Sequence, residues 1–320
     1  VIVTRMLPGG IPERLAGYEP WVWGEDRALP AEILREVIGD ATGLLSMLTD
    51  RIDAPLLEGA PHLRVVSQMA VGVDNIDLEA CRERGVIVGH TPDVLTETTA
   101  DTAFALLAAA VRRLPEGRDH VRTGAWGEWK PDLLLGGDLH GTTLGIVGLG
   151  RIGQAVARRA TGFGMRLLYA GRSRKPAVEA GLSIAYRLLP ELLAESDHVV
   201  VTASYDGSNH RLFDREAFRA MKPDATFVNV ARGGLVDHEA LTDALSQGWI
   251  GRAALDVTDP EPFPANHPLV GLPNCLIVPH IGSASHRTRL AMARLAVDNL
   301  VAGLEGGVLP APLPQVQAVG

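Results

Sequence analysis

The chain has 320 residues, 46% of them hydrophobic and 21% charged, with a formal net charge of −8 and a pI of about 5.7. That length suits two domains rather than one, and the apolar share can fill a large core, which excludes a disordered chain. The acidic balance argues against a nucleic-acid partner held by phosphate contacts, so any anionic ligand must be captured by a local positive site working against the global field.

Along the chain, strands and helices alternate. Val1–Met6 is a β-branched run, and Pro30–Ile38 carries Ile33, Leu34, Val37 and Ile38 at helical spacing. Gly43–Leu48 and Arg64–Met69 predict buried strands, Leu78–Arg84 a short helix and Val86–Val88 another strand. Thr98–Arg113 is a long helical stretch with Ala100, Ala103, Phe104, Leu107 and Ala108 on one side. After a polar, aromatic segment (Gly124–Gly137) the alternation resumes. Strands are expected at Thr143–Val147, Leu167–Tyr169, Val199–Ala203, Ala225–Val230, Ala253–Val257 and Cys275–Val278, and a last helix at about Ser285–Leu304. This rhythm predicts an α/β protein with parallel sheets. A Pro/Gly-rich tail, Gly303–Gly320, is expected to wrap or fray.

The longest apolar run, Ala103–Val111, is too short to span a bilayer, and no charged-then-apolar signal opens the sequence. A cytoplasmic protein without a membrane partner is expected. Cys81 and Cys275 lack metal-ligand spacing and are expected to be buried free thiols, with no metal site.

Gly148-Leu149-Gly150-Arg151-Ile152-Gly153 directly follows one predicted strand and precedes a helical run, Gln154–Ala160. In that setting the pattern predicts a dinucleotide site. Gly148 makes the turn, Gly150 lets the backbone approach a pyrophosphate, Gly153 packs helix on strand, and the helix N-terminus offers N–H donors. An NAD site usually places an acid about 20 residues further on. Here Gly171 lies eighteen residues past Gly153 with no acid beside it, followed by Arg172, Ser173, Arg174 and Lys175. Two arginines and a hydroxyl suit a 2′-phosphate, so NADP(H) is expected over NAD(H), the alternative being a basic surface turn.

Three strings then follow predicted strands: Val-Asn-Val-Ala-Arg-Gly-Gly (228–234), Asp-Val-Thr-Asp-Pro-Glu-Pro (256–262) and Val-Pro-His-Ile-Gly-Ser (278–283). Arg232 can fork onto a carboxylate, His280 can give and take a proton, and Glu261 can hold the other ring nitrogen. In a parallel sheet the three strand ends open on one edge, where ligands bind. Together they supply the groups that reducing a 2-keto acid requires.

The order Arg, Glu, His with these flanks resembles the catalytic signature of the D-2-hydroxyacid dehydrogenase family, over nearly the whole chain. Several segments are similar to its glyoxylate/hydroxypyruvate reductase branch: Ser67–Asp74, Thr96–Asp101, Gly171–Arg174, Asp259–Pro264 with Asn266–Leu269, and His280–Arg289. The resemblance implies two Rossmann-like or flavodoxin-like domains with parallel sheets. Residues 1–98 and 289–320 would form the substrate-binding domain, and 99–288 the inserted cofactor domain. It implies reduction of small 2-keto acids (glyoxylate to glycolate, hydroxypyruvate to D-glycerate) by hydride transfer from NADPH, with His280 as proton donor.

It also implies that the N–H groups of Val71 and Gly72 hold the substrate carboxylate, in a loop without the basic residue that relatives acting on phosphorylated anions carry. Ser283 would bring a hydroxyl near the substrate. Trp126 and Trp129 resemble an aromatic loop that limits substrate size, their other reading being packing at a subunit contact. Asp256 resembles the family's acid near the nicotinamide amide, its alternative being a turn cap. Thr102, Val230, Ala231, His280 and Gly282 join the expected cofactor contacts. The loop after Val199–Ala203 reads Ser204-Tyr205-Asp206-Gly207-Ser208-Asn209 instead of the family's Thr-Pro, leaving Ala203 and Ser204 as its candidates; Asp101 stands where Glu is commoner. A homodimer is expected, with the apolar stretch 103–111 and the Trp loop suited to the contact. Two rival readings stay open: a dehydrogenase for larger keto acids, and a cofactor-sensing corepressor-like binding protein.

Overall fold

The computed structural model describes residues 1–313, so the end of the Pro/Gly-rich tail, 314–320, lies outside the described residues. The chain divides into two compact units, Val1–Leu95 with Ala284–Gly320, and Thr96–Ser283. Both junctions fall at helix starts, a few residues before the expected 98/99 and 288/289. The whole helix Thr96–Val111 goes with the second unit and the whole helix His286–Leu304 with the first. Ser285 caps that last helix by accepting the Thr288 N–H at 3.2 Å.

The first unit is a parallel five-stranded sheet in the order β2-β1-β3-β4-β5, with β1 Ile2–Val3, β2 Trp21–Val22, β3 Gly43–Ser46, β4 Val65–Gln68 and β5 Ile87–Gly89. Every residue of β3 and β4 is buried, as expected of parallel strands covered on both faces. The long C-terminal helix covers one face closely: a Cβ on Gly303 would stand 2.6 Å from the Val65 side chain. Its buried Asn299 donates to the His90 carbonyl at 2.9 Å and accepts the Ala311 N–H at 2.8 Å. Leu313 N–H reaches Val88 O at 2.9 Å, so the described part of the tail wraps along β5. Edge strand β2 escapes sequence reading because two residues carry no period.

The second unit is a parallel seven-stranded sheet, β12-β11-β10-β9-β6-β7-β8. Its strands are β6 Thr143–Val147, β7 Arg166–Ala170, β8 Ile184–Tyr186, β9 His198–Val201, β10 Thr226–Asn229, β11 Arg252–Leu255 and β12 Cys275–Ile277. The order turns back at β6, which lies between β9 and β7. Such a switch point opens a crevice at the strand C-termini. Side chains alternate between two cores: Val200 joins Ala103 and Leu107 on one face, while Val199 and Val201 join Leu192 and Phe227 on the other.

Most of the run 103–111 is spent in its own unit: Ala103, Phe104, Leu106, Leu107, Ala110 and Val111 are buried in the core, which leaves Ala105 exposed and Ala108 and Ala109 partly so. Both cysteines are free, and burial pushes each thiol up to about 12, with the Asp77 charge adding to it at Cys81. Cys275 is only partly buried by surface area, yet its thiol sits against the second core. Among the described residues no helix is long and apolar enough to cross a membrane.

Candidate active site

Strands β10, β11 and β12 are neighbours, and Asn229, Leu255 and Ile277 stand level at their ends. From that common level the chain runs on to Arg232, Glu261 and His280. The sheet therefore delivers a guanidinium, a carboxylate and an imidazole to one edge of one unit.

Arg232 is half-buried and opens the short turn Gly233–Leu235. Its Nη1 donates to its own neighbour's carbonyl, Ala231 O, at 2.8 Å. Asn229, wholly buried at the end of β10, braces this loop on both sides: Oδ1 accepts the Ala231 N–H at 3.0 Å and Nδ2 donates to Arg232 O at 2.9 Å. Gly233 is the crossing point of two loops. A Cβ there would stand 2.0 Å from both the carbonyl carbon and oxygen of Thr258, so only glycine lets the loop carrying Glu261 pass.

Glu261 Oε1 accepts the Thr258 N–H at 3.0 Å, and Oε2 meets His280 Nδ1 at 2.8 Å. Burial pushes its carboxyl up, but the His280 bond and charge, the Thr258 N–H and the Arg232 charge outweigh it and hold the group below its usual range. Arg232 thus acts on the same carboxylate that His280 touches. His280 has φ +52°, a left-handed conformation that costs a side-chain-bearing residue energy. Asp256, 2% exposed, holds the turn in place. Its carbonyl accepts the His280 N–H at 2.9 Å, and its two carboxylate oxygens accept the N–H groups of Ile281 (2.7 Å) and Gly282 (2.9 Å). Burial raises the Asp256 carboxyl, against the pull of those N–H groups and of His280. This bonding is that of a turn cap. Thr102 on the Thr96–Val111 helix donates to Gly282 O at 3.1 Å, fastening the same loop from another side, and Ser283 follows it.

The glycine turn lies where β6 meets the helix Arg151–Thr161. Gly148 has φ +97°, and a Cβ on it would strike the Ala203 backbone at 2.5 Å. A Cβ on Gly153 would meet Gly148 O at 2.3 Å, whereas one on Gly150 would meet nothing within 4 Å. So two glycines close the turn and one leaves its backbone accessible, with no side chain capping the helix N-terminus beside it. That is a fit for a pyrophosphate. Arg151 starts the helix exposed and Ile152 packs against the core; Val230 and Ala231 are buried at the end of β10.

Past β7 the basic turn is not uniform. Arg174 forks onto Glu179 at 2.6 and 3.2 Å and lies over the Tyr186 ring. Glu179, bonded by Arg174 and Tyr169, is held down to about 2. Lys175 Nζ donates to Leu149 O in the glycine turn at 2.7 Å. Arg172 instead reaches the loop after β9, pairing with Asp206 at 3.1 Å and Ser204 at 3.4 Å; Ser173 is exposed. Asp101 meets Arg159, joining its helix to the one that follows the glycine turn.

Val71 and Gly72 belong to the first unit, in the loop after β4. Val71 is 37% exposed with its carbonyl on His90 Nδ1 at 3.0 Å, and Gly72 O takes a long 3.5 Å contact from Gln68. Trp126 and Trp129, at 60% and 81% exposed, stand out in the irregular segment past the second helix of the other unit. Asn229, Thr258 and Asp206 were not among the expected site residues; only a polar residue ending a buried apolar strand hinted at Asn229.

A protein-family model described as D-isomer specific 2-hydroxyacid dehydrogenase, NAD binding domain, matches residues 104–282. The human glyoxylate reductase/hydroxypyruvate reductase is 46% identical over 318 residues, covering 98% of this chain and 97% of its own. A crystal structure of a protein from Thermus thermophilus superposes with a TM-score of 0.91 at 50% identity, covering 98% of this chain and 99% of that one. The NADPH-dependent glyoxylate/hydroxypyruvate reductase of Sinorhizobium meliloti, solved with NADP and malonate, superposes with a TM-score of 0.85 at 32% identity, over 99% and 97% of the two chains.

Proposed function

This chain belongs to the D-isomer specific 2-hydroxyacid dehydrogenase family, and from that premise we propose that it reduces small 2-keto acids, glyoxylate and hydroxypyruvate first, with NADPH. The observation that carries the proposal is the 2.8 Å contact of His280 with Glu261, at strand ends level with the one that leads to Arg232. The names of the human and Sinorhizobium meliloti relatives support the substrate class.

When bound, the reduced nicotinamide supplies the hydride. The residues around it do the rest. Arg232 binds the substrate carboxylate and keto oxygen, fixing orientation and stabilising developing negative charge. Glu261 occupies Nδ1 of His280, so Nε2 is the nitrogen that delivers the proton to the oxygen. In the reverse direction the neutral ring takes it back. Gly150 and the helix N-terminus hold the pyrophosphate. Arg172, with Ser173 beside it, holds the 2′-phosphate; Arg174, engaged with Glu179, contributes only if that pair opens. With most of the run 103–111 in the core, Trp126 and Trp129, together with the exposed side of that helix, are the surface proposed to meet a second copy in a homodimer.

The test is a panel of glyoxylate, hydroxypyruvate, pyruvate and a bulky 2-keto acid, each with NADPH and with NADH, followed by loss of the reduced-nicotinamide absorbance. Highest kcat/KM with the small acids and NADPH is expected. A preference for the bulky acid, or no turnover with any, would overturn the assignment.

A further inference from the structure

The loop after β9 meets the basic turn through Asp206 and Ser204. Asp206 is fixed on one side and reaching on the other. Its Oδ1 accepts the Ser208 hydroxyl at 2.6 Å and the Ser208 N–H at 3.1 Å, while Oδ2 faces Arg172 Nη1 at 3.1 Å. The loop is braced around it: the Asp206 N–H donates to Asn209 Oδ1 at 3.3 Å, and Asn209 Nδ2 donates to Ser204 O at 2.8 Å. The carboxylate is therefore held where it is by its own loop, whichever way Arg172 turns. Beyond that pair Arg172 makes a long 3.4 Å contact from Nη2 to Ser204 Oγ, and its side chain is 83% exposed. An exposed pair of this kind contributes little to stability and exchanges partners readily. Ser208, more than the Arg172 charge, keeps the Asp206 carboxyl below its usual range, so the anion persists when the arginine leaves.

We propose that Asp206 is the resident anion that Arg172 exchanges for a cofactor 2′-phosphate, and that it thereby restrains this chain's preference for NADP(H) over NAD(H). This rests on the reading that Arg172 binds the 2′-phosphate. A dianionic phosphate has to draw Arg172 away from one carboxylate and then sit near it, whereas a ribose 2′-OH leaves the pair intact. Asp206 is a specificity residue acting against the phosphorylated cofactor.

The experiment is equilibrium titration of the whole protein with NADPH and with NADH, read by protein and nicotinamide fluorescence, for wild type, Asp206→Asn and Arg172→Ala. Asn keeps the size and an acceptor for Ser208 while removing the charge. The expected result is a Kd for NADPH about three- to tenfold lower in Asp206→Asn, an NADH Kd unchanged within about twofold, and a gap that narrows as salt is raised. Arg172→Ala should weaken NADPH alone. If Asp206→Asn leaves NADPH binding unchanged or weaker while Arg172→Ala selectively loses it, the role of Asp206 is refuted and the cofactor reading stands. If Arg172→Ala weakens both cofactors equally, the cofactor reading falls and this inference with it.

Discussion

His280 Nδ1 lies 2.8 Å from Glu261 Oε2, across nineteen residues of chain and from the ends of adjacent strands. The other oxygen of Glu261 is tied to the Thr258 N–H. The carboxylate is thus fixed at both ends, one to its own backbone and one to the ring. On the proposed function, Glu261 sets which nitrogen of His280 carries out proton transfer.

Replacing Glu261 by Gln keeps the shape and removes the charge. The ring loses the carboxylate that fixes its orientation, and kcat should fall roughly tenfold, about the worth of one hydrogen bond to a charged group. Because the folded carboxyl is held low, its stabilising contribution is present above its unfolded value and is lost as pH falls through the folded one. Steady-state kinetics checks the first and Tm against pH the second; a wild-type kcat in Glu261→Gln would contradict the role of the pair.

Gly233→Ala tests whether the loops carrying Arg232 and Glu261 must cross so closely. The new Cβ would stand 2.0 Å from the Thr258 carbonyl, in backbone that has no side-chain freedom to yield. The expected cost is about 2–4 kcal/mol of stability together with a fall in kcat/KM, as the Glu261 loop is pushed off His280. Thermal unfolding and steady-state kinetics read both; wild-type values in both would refute the crossing.

His238 is 9% exposed, packs tilted against the Phe263 ring at 5.3 Å and has a buried Nε2 without a partner among the described residues. Burial, and then the His267 charge, lower its pKa, with Asp259 and Asp237 opposing and Arg211 adding to the effect. A lowered folded value means the unfolded chain takes the proton first. Stability is therefore full above about pH 6.5 and declines below it. His198, also lowered by burial, acts in the same direction. Tm measured between about pH 7 and 5 should fall, and the slope should be shallower in His238→Phe; equal slopes would contradict the account.

The sites that sequence conveyed were those whose chemistry is local. The glycine turn needs only its neighbours in the chain. Arg232, Glu261 and His280 could each be read because a strand precedes them, and parallel strands end on one edge. What stayed hidden depends on meetings between loops. Gly233 is required by Thr258, Asp256 caps a turn that begins at His280, and Arg172 finds Asp206 more than thirty residues on. The run 103–111 reads the same whether it faces a core or a partner, because composition does not say what covers an apolar face. Strands β2 and β8 are two and three residues long, too few to show alternation.

The central claim is that His280 supplies the proton for reduction of a small 2-keto acid. The direct test compares wild type with His280→Ala in single-turnover oxidation of NADPH by glyoxylate, with NADPH binding followed by fluorescence in the same samples. The account predicts unchanged NADPH affinity and a rate lower by about 10²–10⁴-fold in the variant. A His280→Ala protein that oxidises NADPH at the wild-type rate would contradict it.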